Sequence, residues 1–195
     1  MEHREQQVLD FAHEHCEHGA WLVTIIAASG SSPRPVGSLL ACADDGARAG
    51  SVSGGCVEDD LLERLAGGEF AGRRIAQLEY GVSAEENARL GLPCGGRLTL
   101  LLQRLGPDDR PWLAALGTAI GERRCLCRSV DLDSGRTTLN DRQTPTAPQL
   151  DGGQFHQVFG PLQRLLLVGA GELAASLAEL ALAMDYDVLV TDPRQ

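Results

Sequence analysis

The sequence predicts an α/β protein in two units. The first is a mixed α/β N-terminal domain; the second is the opening β-α-β of a Rossmann-like domain, incomplete in this chain. Three observations carry this. Apolar, β-branched runs such as Trp21–Ala27 alternate with stretches of helical period such as Val57, Leu61, Leu62 and Leu65. Two hairpin signals, Asp44-Asp45-Gly46 and Asp133-Ser134-Gly135, each separate a pair of short apolar segments. Near the C-terminus an apolar run meets Gly169-Ala170-Gly171-Glu172-Leu173-Ala174, the glycine pattern of a strand-to-helix crossover.

Taken in order, residues 5–18 carry Val8, Phe11, Ala12 and His15 on one face of a helix. His13, His15 and His18 read as its polar side. Trp21–Ala27 is a strand, and residues 29–35, rich in Ser, Gly and Pro, form a loop. Gly37–Ala43 and Ala47–Ser51 are the arms of the first hairpin. After Cys56 the period becomes helical, and Glu58, Asp59 and Asp60 give the first turn its expected acidic bias. Ile75–Tyr80 and the nearly continuous apolar Arg97–Leu105 are strands, the second buried. Ser83-Ala84-Glu85-Glu86 has the form of a capping box. Pro111–Gly121 is a helix, and Arg124–Asp131 and Arg136–Asn140 form the second hairpin. Residues 141–161, rich in Thr, Pro, Gln, Asp and Gly, read as a linker. The domains predicted are therefore 1–140 and 162–195. Within the second, Arg164–Val168 and Tyr186–Thr191 are strands around the helix Glu172–Met184.

Charge and composition narrow the function. A net charge of -10 over 195 residues lacks the basic footprint that nucleic acid or an anionic membrane surface requires. No apolar run is long enough to span a bilayer, and the polar N-terminus lacks a secretory core. The expected location is the cytoplasm, where the six cysteines stay reduced.

Two of those cysteines sit in glycine-rich loops. Cys56 lies in Gly50-Ser51-Val52-Ser53-Gly54-Gly55-Cys56-Val57-Glu58, and Cys94 in Gly91-Leu92-Pro93-Cys94-Gly95-Gly96. Glycines remove side-chain bulk and let a ligand approach the backbone. Cys56 falls at a helix start, where the dipole and unpaired amides favour thiolate, while Glu58 and Asp59 oppose it. Amides of Gly54 and Gly55 are candidate anion contacts, and Arg34 can add positive charge. Thiolates suit soft metal centres. At the C-terminal loop, Gly169 and Gly171 could receive a phosphate and Asp192 a ribose, so NAD(P) or another nucleotide is a candidate ligand. The strands that would wall the rest of a dinucleotide are not in the chain, and the binding expected there is weak. The apolar strands and helix of this short unit are expected to be covered by the first domain or by a second copy, in a homodimer.

These motifs resemble the XdhC/CoxI family of accessory factors for molybdenum hydroxylases such as xanthine and carbon monoxide dehydrogenases. Residues 30–37, 50–58, 80–83 and 91–96 carry the resemblance in the first domain. Leu167-Val168-Gly169-Ala170-Gly171 and Asp192-Pro193-Arg194 carry it in the second. Glu172 stands where the family often has His. The resemblance implies a carrier, not an enzyme, that binds molybdenum cofactor (molybdopterin), protects it and delivers it to a molybdenum hydroxylase apo-enzyme. A cysteine desulfurase is a further partner. Carried over, Cys56 and Cys94 become cofactor- and metal-contacting thiols, with Arg34, Gly54 and Gly55 as anion contacts. Two other readings remain: an NAD(P)-dependent oxidoreductase with Cys56 as redox thiol, and a scaffold that docks a client enzyme without binding cofactor.

Overall fold

The computed structural model describes residues 2–30, 34–83, 85, 87, 96–142, 147–161, 163–184 and 186–193; the side chains of residues 2–4 and 56 lie outside that description. The elements are α1 (Glu2–His15), β1 (Ala20–Ser29), β2 (Leu39–Ala43), β3 (Arg48–Gly50), α2 (Cys56–Ala66), β4 (Ile75–Tyr80), β5 (Arg97–Leu105), a 3-10 turn (Pro107–Asp109) and α3 (Arg110–Gly121). They continue with β6 (Leu126–Asp131), β7 (Thr137–Asp141), β8 (Gln149–Asp151), β9 (Gln154–Phe159), β10 (Gln163–Val168), α4 (Glu172–Ala183) and β11 (Tyr186–Thr191).

A five-stranded sheet in the order β3-β2-β1-β5-β4 forms the centre, with antiparallel pairing throughout. β1 shows why it is buried on both faces. Trp21, Val23 and Ile25 point towards Val57 and Leu61 of α2. Ala20 and Leu22 point the other way, towards Val8, Leu9 and Ala12 of α1 and Leu113 and Leu116 of α3. This period-two division makes one strand serve two cores. Further along the second face, Ile26 and Leu101 meet Val130 and Phe155 of a second sheet, β7-β6-β9-β8.

The contact between the sheets is partly polar. Arg128 is fully buried; its guanidinium donates to Gln103 Oε1 and Thr24 Oγ1 and lies 5.4 Å from the Trp112 ring centroid. Burial pushes its pKa down to about 10. Gln157 Nε2 donates to the Gly37 carbonyl at 2.8 Å, fastening β9 to the turn before β2.

The mixed α/β architecture is as the sequence predicts, and so are both hairpins and the parallel β10–α4–β11 unit. The stretch 141–161 differs from its expectation. It contains β8 and β9, and β9 pairs with β6 along its length, burying Phe155, Val158 and Phe159. A segment that supplies a strand to the second core is not a linker. Its polar residues conceal the pattern: Gln157 and His156 are engaged by hydrogen bonds, His156 Nδ1 sharing one with Ser129 Oγ at 2.7 Å.

In the β10–α4–β11 unit, the first domain, one of the two coverings expected, leaves apolar residues open among the described residues. Leu166, Val168, Leu173, Leu180, Met184 and Leu189 are exposed, Val168 and Leu173 by three quarters. Arg123 donates to the Tyr186 carbonyl and joins the unit to the end of α3. As for membranes, among the described residues no helix is long and apolar enough to cross one.

Candidate functional site

Strand register brings three loops to one end of the five-stranded sheet. Ser29 of β1 pairs with Arg97 of β5, and Tyr80 of β4 pairs with Leu98. Leu40 near the start of β2 pairs with Gly50 at the end of β3, and the Ser51 amide donates to the Leu39 carbonyl. The chain leaving β1 (with Arg34), the chain leaving β3 (with Cys56) and the chain joining β4 to β5 (with Cys94) all depart from this end. Tyr80 Oη donates to Asp60 Oδ2 at 2.8 Å, fastening the end of β4 to the second turn of α2. At the foot of the β4–β5 connection Gly81, at φ +84°, lies so close to Gly96 that a Cβ on Gly81 would overlap the Gly96 carbonyl.

Cys56 is the first residue of α2, and Gly55 is its N-cap. The loop before it is organised by Glu58. The amides of Val52, Ser53 and Gly54 donate to Oε1 at 3.0, 2.8 and 2.9 Å, and Ser51 Oγ donates at 2.7 Å. The Gly55 amide donates to Oε2 at 2.8 Å, and Ser53 Oγ donates to the same oxygen. Six donors thus converge on one carboxylate that is only 5% exposed. Burial alone would raise its pKa; the hydroxyls and amides outweigh burial and hold it at about 2. Asp59, one residue on, faces Arg48 of β3 at 3.4 Å on the surface.

This arrangement revises the part played by Gly54 and Gly55. Their amides are directed inward to Glu58, so an outside anion meets them only if Glu58 moves. Among the described residues, a Cβ on either glycine would meet nothing within 4 Å, and both glycines are exposed. Arg34 is half-buried in the segment between β1 and β2. Cys94, Gly95 and the Cys56 side chain lie outside the described residues. The other cysteines differ in setting. Cys16, Cys42 and Cys127 are buried, and burial pushes the Cys42 thiol up to about 12. Cys125 is half-buried.

The sequence marks Glu58 only as acidic bias at a helix start. The signal that finds its role is the spacing of Gly55 at N-cap and Glu58 at N3, the acidic half of a capping box after a Ser-Gly-rich loop. At the C-terminal loop, Asp192 Oδ2 accepts the Ala170 amide at 2.8 Å, and the Gly169 amide donates to the Thr191 carbonyl at 2.7 Å. The acid expected to meet a ribose closes the glycine loop on itself. Gly171 caps α4 in an extended conformation.

A family model, described as the XdhC and CoxI family, matches residues 15–81, a stretch that includes Arg34 and the whole Cys56 loop. Over those residues the chain is similar to that family. It is 33% identical over 178 residues to the molybdenum cofactor insertion chaperone PaoD of Escherichia coli (strain K12), covering 89% of this chain and 53% of that protein. It is 26% identical over 200 residues to a probable xanthine dehydrogenase component of Bacillus subtilis (strain 168), covering 90% and 60%. The fold matches a crystal structure described as a xanthine dehydrogenase from Bacillus halodurans, with a TM-score of 0.65 and 22% identity over 97% of this chain and 62% of the other. The chain spans little more than half the length of the curated relatives it matches.

Proposed function

We propose that this chain binds molybdenum cofactor at the cysteine end of the five-stranded sheet and passes it to a molybdenum hydroxylase apo-enzyme, acting as a carrier and not as a catalyst. The observation that carries the reading is the departure of the Arg34, Cys56 and Cys94 segments from one end of one sheet. It is supported by the Escherichia coli relative, whose name is that of a cofactor insertion chaperone.

The residues present suit such a cargo in two respects. Gly54 and Gly55 leave open space beside a helix-start cysteine, and a bulky ligand can approach there. Thiol sulfur is a soft donor, matched to a sulfur-rich metal centre. In this reading Cys56 and Cys94 contact the metal end of the cargo, and Arg34 attracts its anionic part. Gly54 and Gly55 contribute room, and their amides become anion contacts when Glu58 yields them. Glycines 169 and 171 with Asp192 make at most a weak contact with a nucleotide or NAD(P), because the loop amide and the acid already satisfy each other. A cysteine desulfurase as sulfur source, a homodimer and a cytoplasmic setting complete the proposal.

The test is metal and pterin analysis of the purified protein. Parent protein is expected to carry molybdenum and pterin in a fixed ratio. Cys56→Ser should lose most of the metal while keeping its fold, because a hydroxyl is a harder and far less acidic ligand. Cys94→Ser should lose less. Serine at Cys16, Cys42, Cys125 or Cys127 should leave loading unchanged. A Cys56→Ser protein loaded at the parent ratio overturns the assignment.

A further inference from the structure

The opposite end of the same sheet holds a cavity of about 750 Å³ that the cofactor reading does not use. It opens between the β2–β3 hairpin, the C-terminal half of α2 and the chain entering β4. Leu62 and Leu65 of α2 and Trp21 of β1 give it an apolar wall. The charged residues lining it are Arg73, Arg74, Arg104 and a single acid, Asp44. Three of the chain's 17 basic residues and only one of its 27 acidic residues therefore meet in one hollow of a protein whose net charge is -10. Arg104 is paired with Asp44 and Arg74 with Asp109, so the surplus positive charge among the lining residues is that of Arg73, and an anionic ligand would meet it.

Two of the arginines are held in place. Arg104 forks onto Asp44, with Nη1–Oδ1 at 2.6 Å and Nη2–Oδ2 at 2.5 Å, and its guanidinium lies 5.4 Å from the Trp21 ring centroid. Arg74 forks onto the buried Asp109 at 2.7 and 2.5 Å. Each guanidinium has five N–H donors, so both keep donors to spare, and their side chains remain 33% and 40% exposed. Arg73 is exposed at the rim. Among the described residues, no atom lies within 4 Å of where a Cβ would sit on Gly46, Gly68 or Gly72. The N–H groups that the two forks leave over suit phosphate oxygens, the apolar wall suits a flat ring, and the volume suits a small organic molecule.

We propose that this cavity binds a phosphorylated heterocycle of nucleotide size. The site is separate from the cysteine end: Cys56 and Leu65 are nine residues apart on α2, roughly 14 Å along the helix. The inference does not depend on the cofactor reading.

Adenosine 5′-monophosphate is the probe, with inorganic phosphate and adenosine as its two halves. Binding is followed by calorimetry and by the fluorescence of Trp21, which lines the cavity; Trp112 is buried elsewhere, with its indole N–H on Asp109. The monophosphate should bind at least about tenfold more tightly than either half, and more weakly as salt is raised. Arg73→Glu should weaken it about tenfold or more without moving the melting temperature, because an exposed rim charge reverses sign. Cys56→Ser should leave this binding unchanged, which separates its outcome from that of the molybdenum assay. Absence of binding by adenosine, cytidine, guanosine and uridine monophosphates overturns the proposal. So does binding that Arg73→Glu leaves intact, or equal affinity for phosphate alone.

Discussion

Glu58 and Asp109 are buried carboxylates at opposite ends of the five-stranded sheet, and they collect their donors from different ranges. All six donors to Glu58 come from residues 51–55, within seven positions of it. Asp109, 2% exposed, takes Arg74 from 35 positions away, together with the Gly106 amide and the Trp112 indole. Burial alone would raise the pKa of Asp109; its donors, with Arg74 foremost, bring it below the ordinary carboxylate range. The local carboxylate shapes one loop. The long-range one clamps the β4 entry, the β5 exit and α3 together. The loop proposed to meet the cofactor is thus held by donors from its own few residues.

Removing the long-range clamp should cost most. Asp109→Ala leaves the buried indole N–H and a backbone amide without their acceptor, and global unfolding in urea should show a loss of about 2–4 kcal/mol. A loss below about 1 kcal/mol would contradict the clamp. Next come two glycines at opposite ends. Gly81→Ala forces a Cβ onto the Gly96 carbonyl at a positive φ and should cost about 2–3 kcal/mol. Gly46→Ala, also at positive φ but in open space, should cost about 1 kcal/mol. Equal losses would erase the contrast between the two ends.

The third test uses pH. Glu58 is depressed from 4.5 to about 2, so it contributes stability above its unfolded value and loses it as pH falls towards 2. The stability difference between parent and Glu58→Gln should be about 2 kcal/mol at neutral pH and should shrink between about pH 4.5 and 2. A difference that stays constant over that window would show that the charge plays no part.

Most of the first sheet is legible in the sequence. Ile75–Tyr80 alternates buried and exposed residues, and Arg97–Leu105 is apolar enough to read as an inner strand. β9 is not legible, because an inner strand carrying Gln154, His156 and Gln157 looks like a surface segment until its partners are known. Those partners, Gly37 and Ser129, come from other elements. At the candidate site, the position of Cys56 at a helix start is readable from the change of period. The inward turn of the Gly54 and Gly55 amides is not, since the same spacing also describes a loop open to an outside anion.

The near contact of Gly81 with Gly96 bears on how this chain can vary. The connection between β4 and β5 begins and ends at backbones that touch, so its two feet stay pinned whatever lies between them. Closing a loop of twice the length costs only about 0.6 kcal/mol more. By that entropy alone, the pairing of β4 with β5 depends little on the length of the stretch between the feet, the one whose sequence carries Cys94.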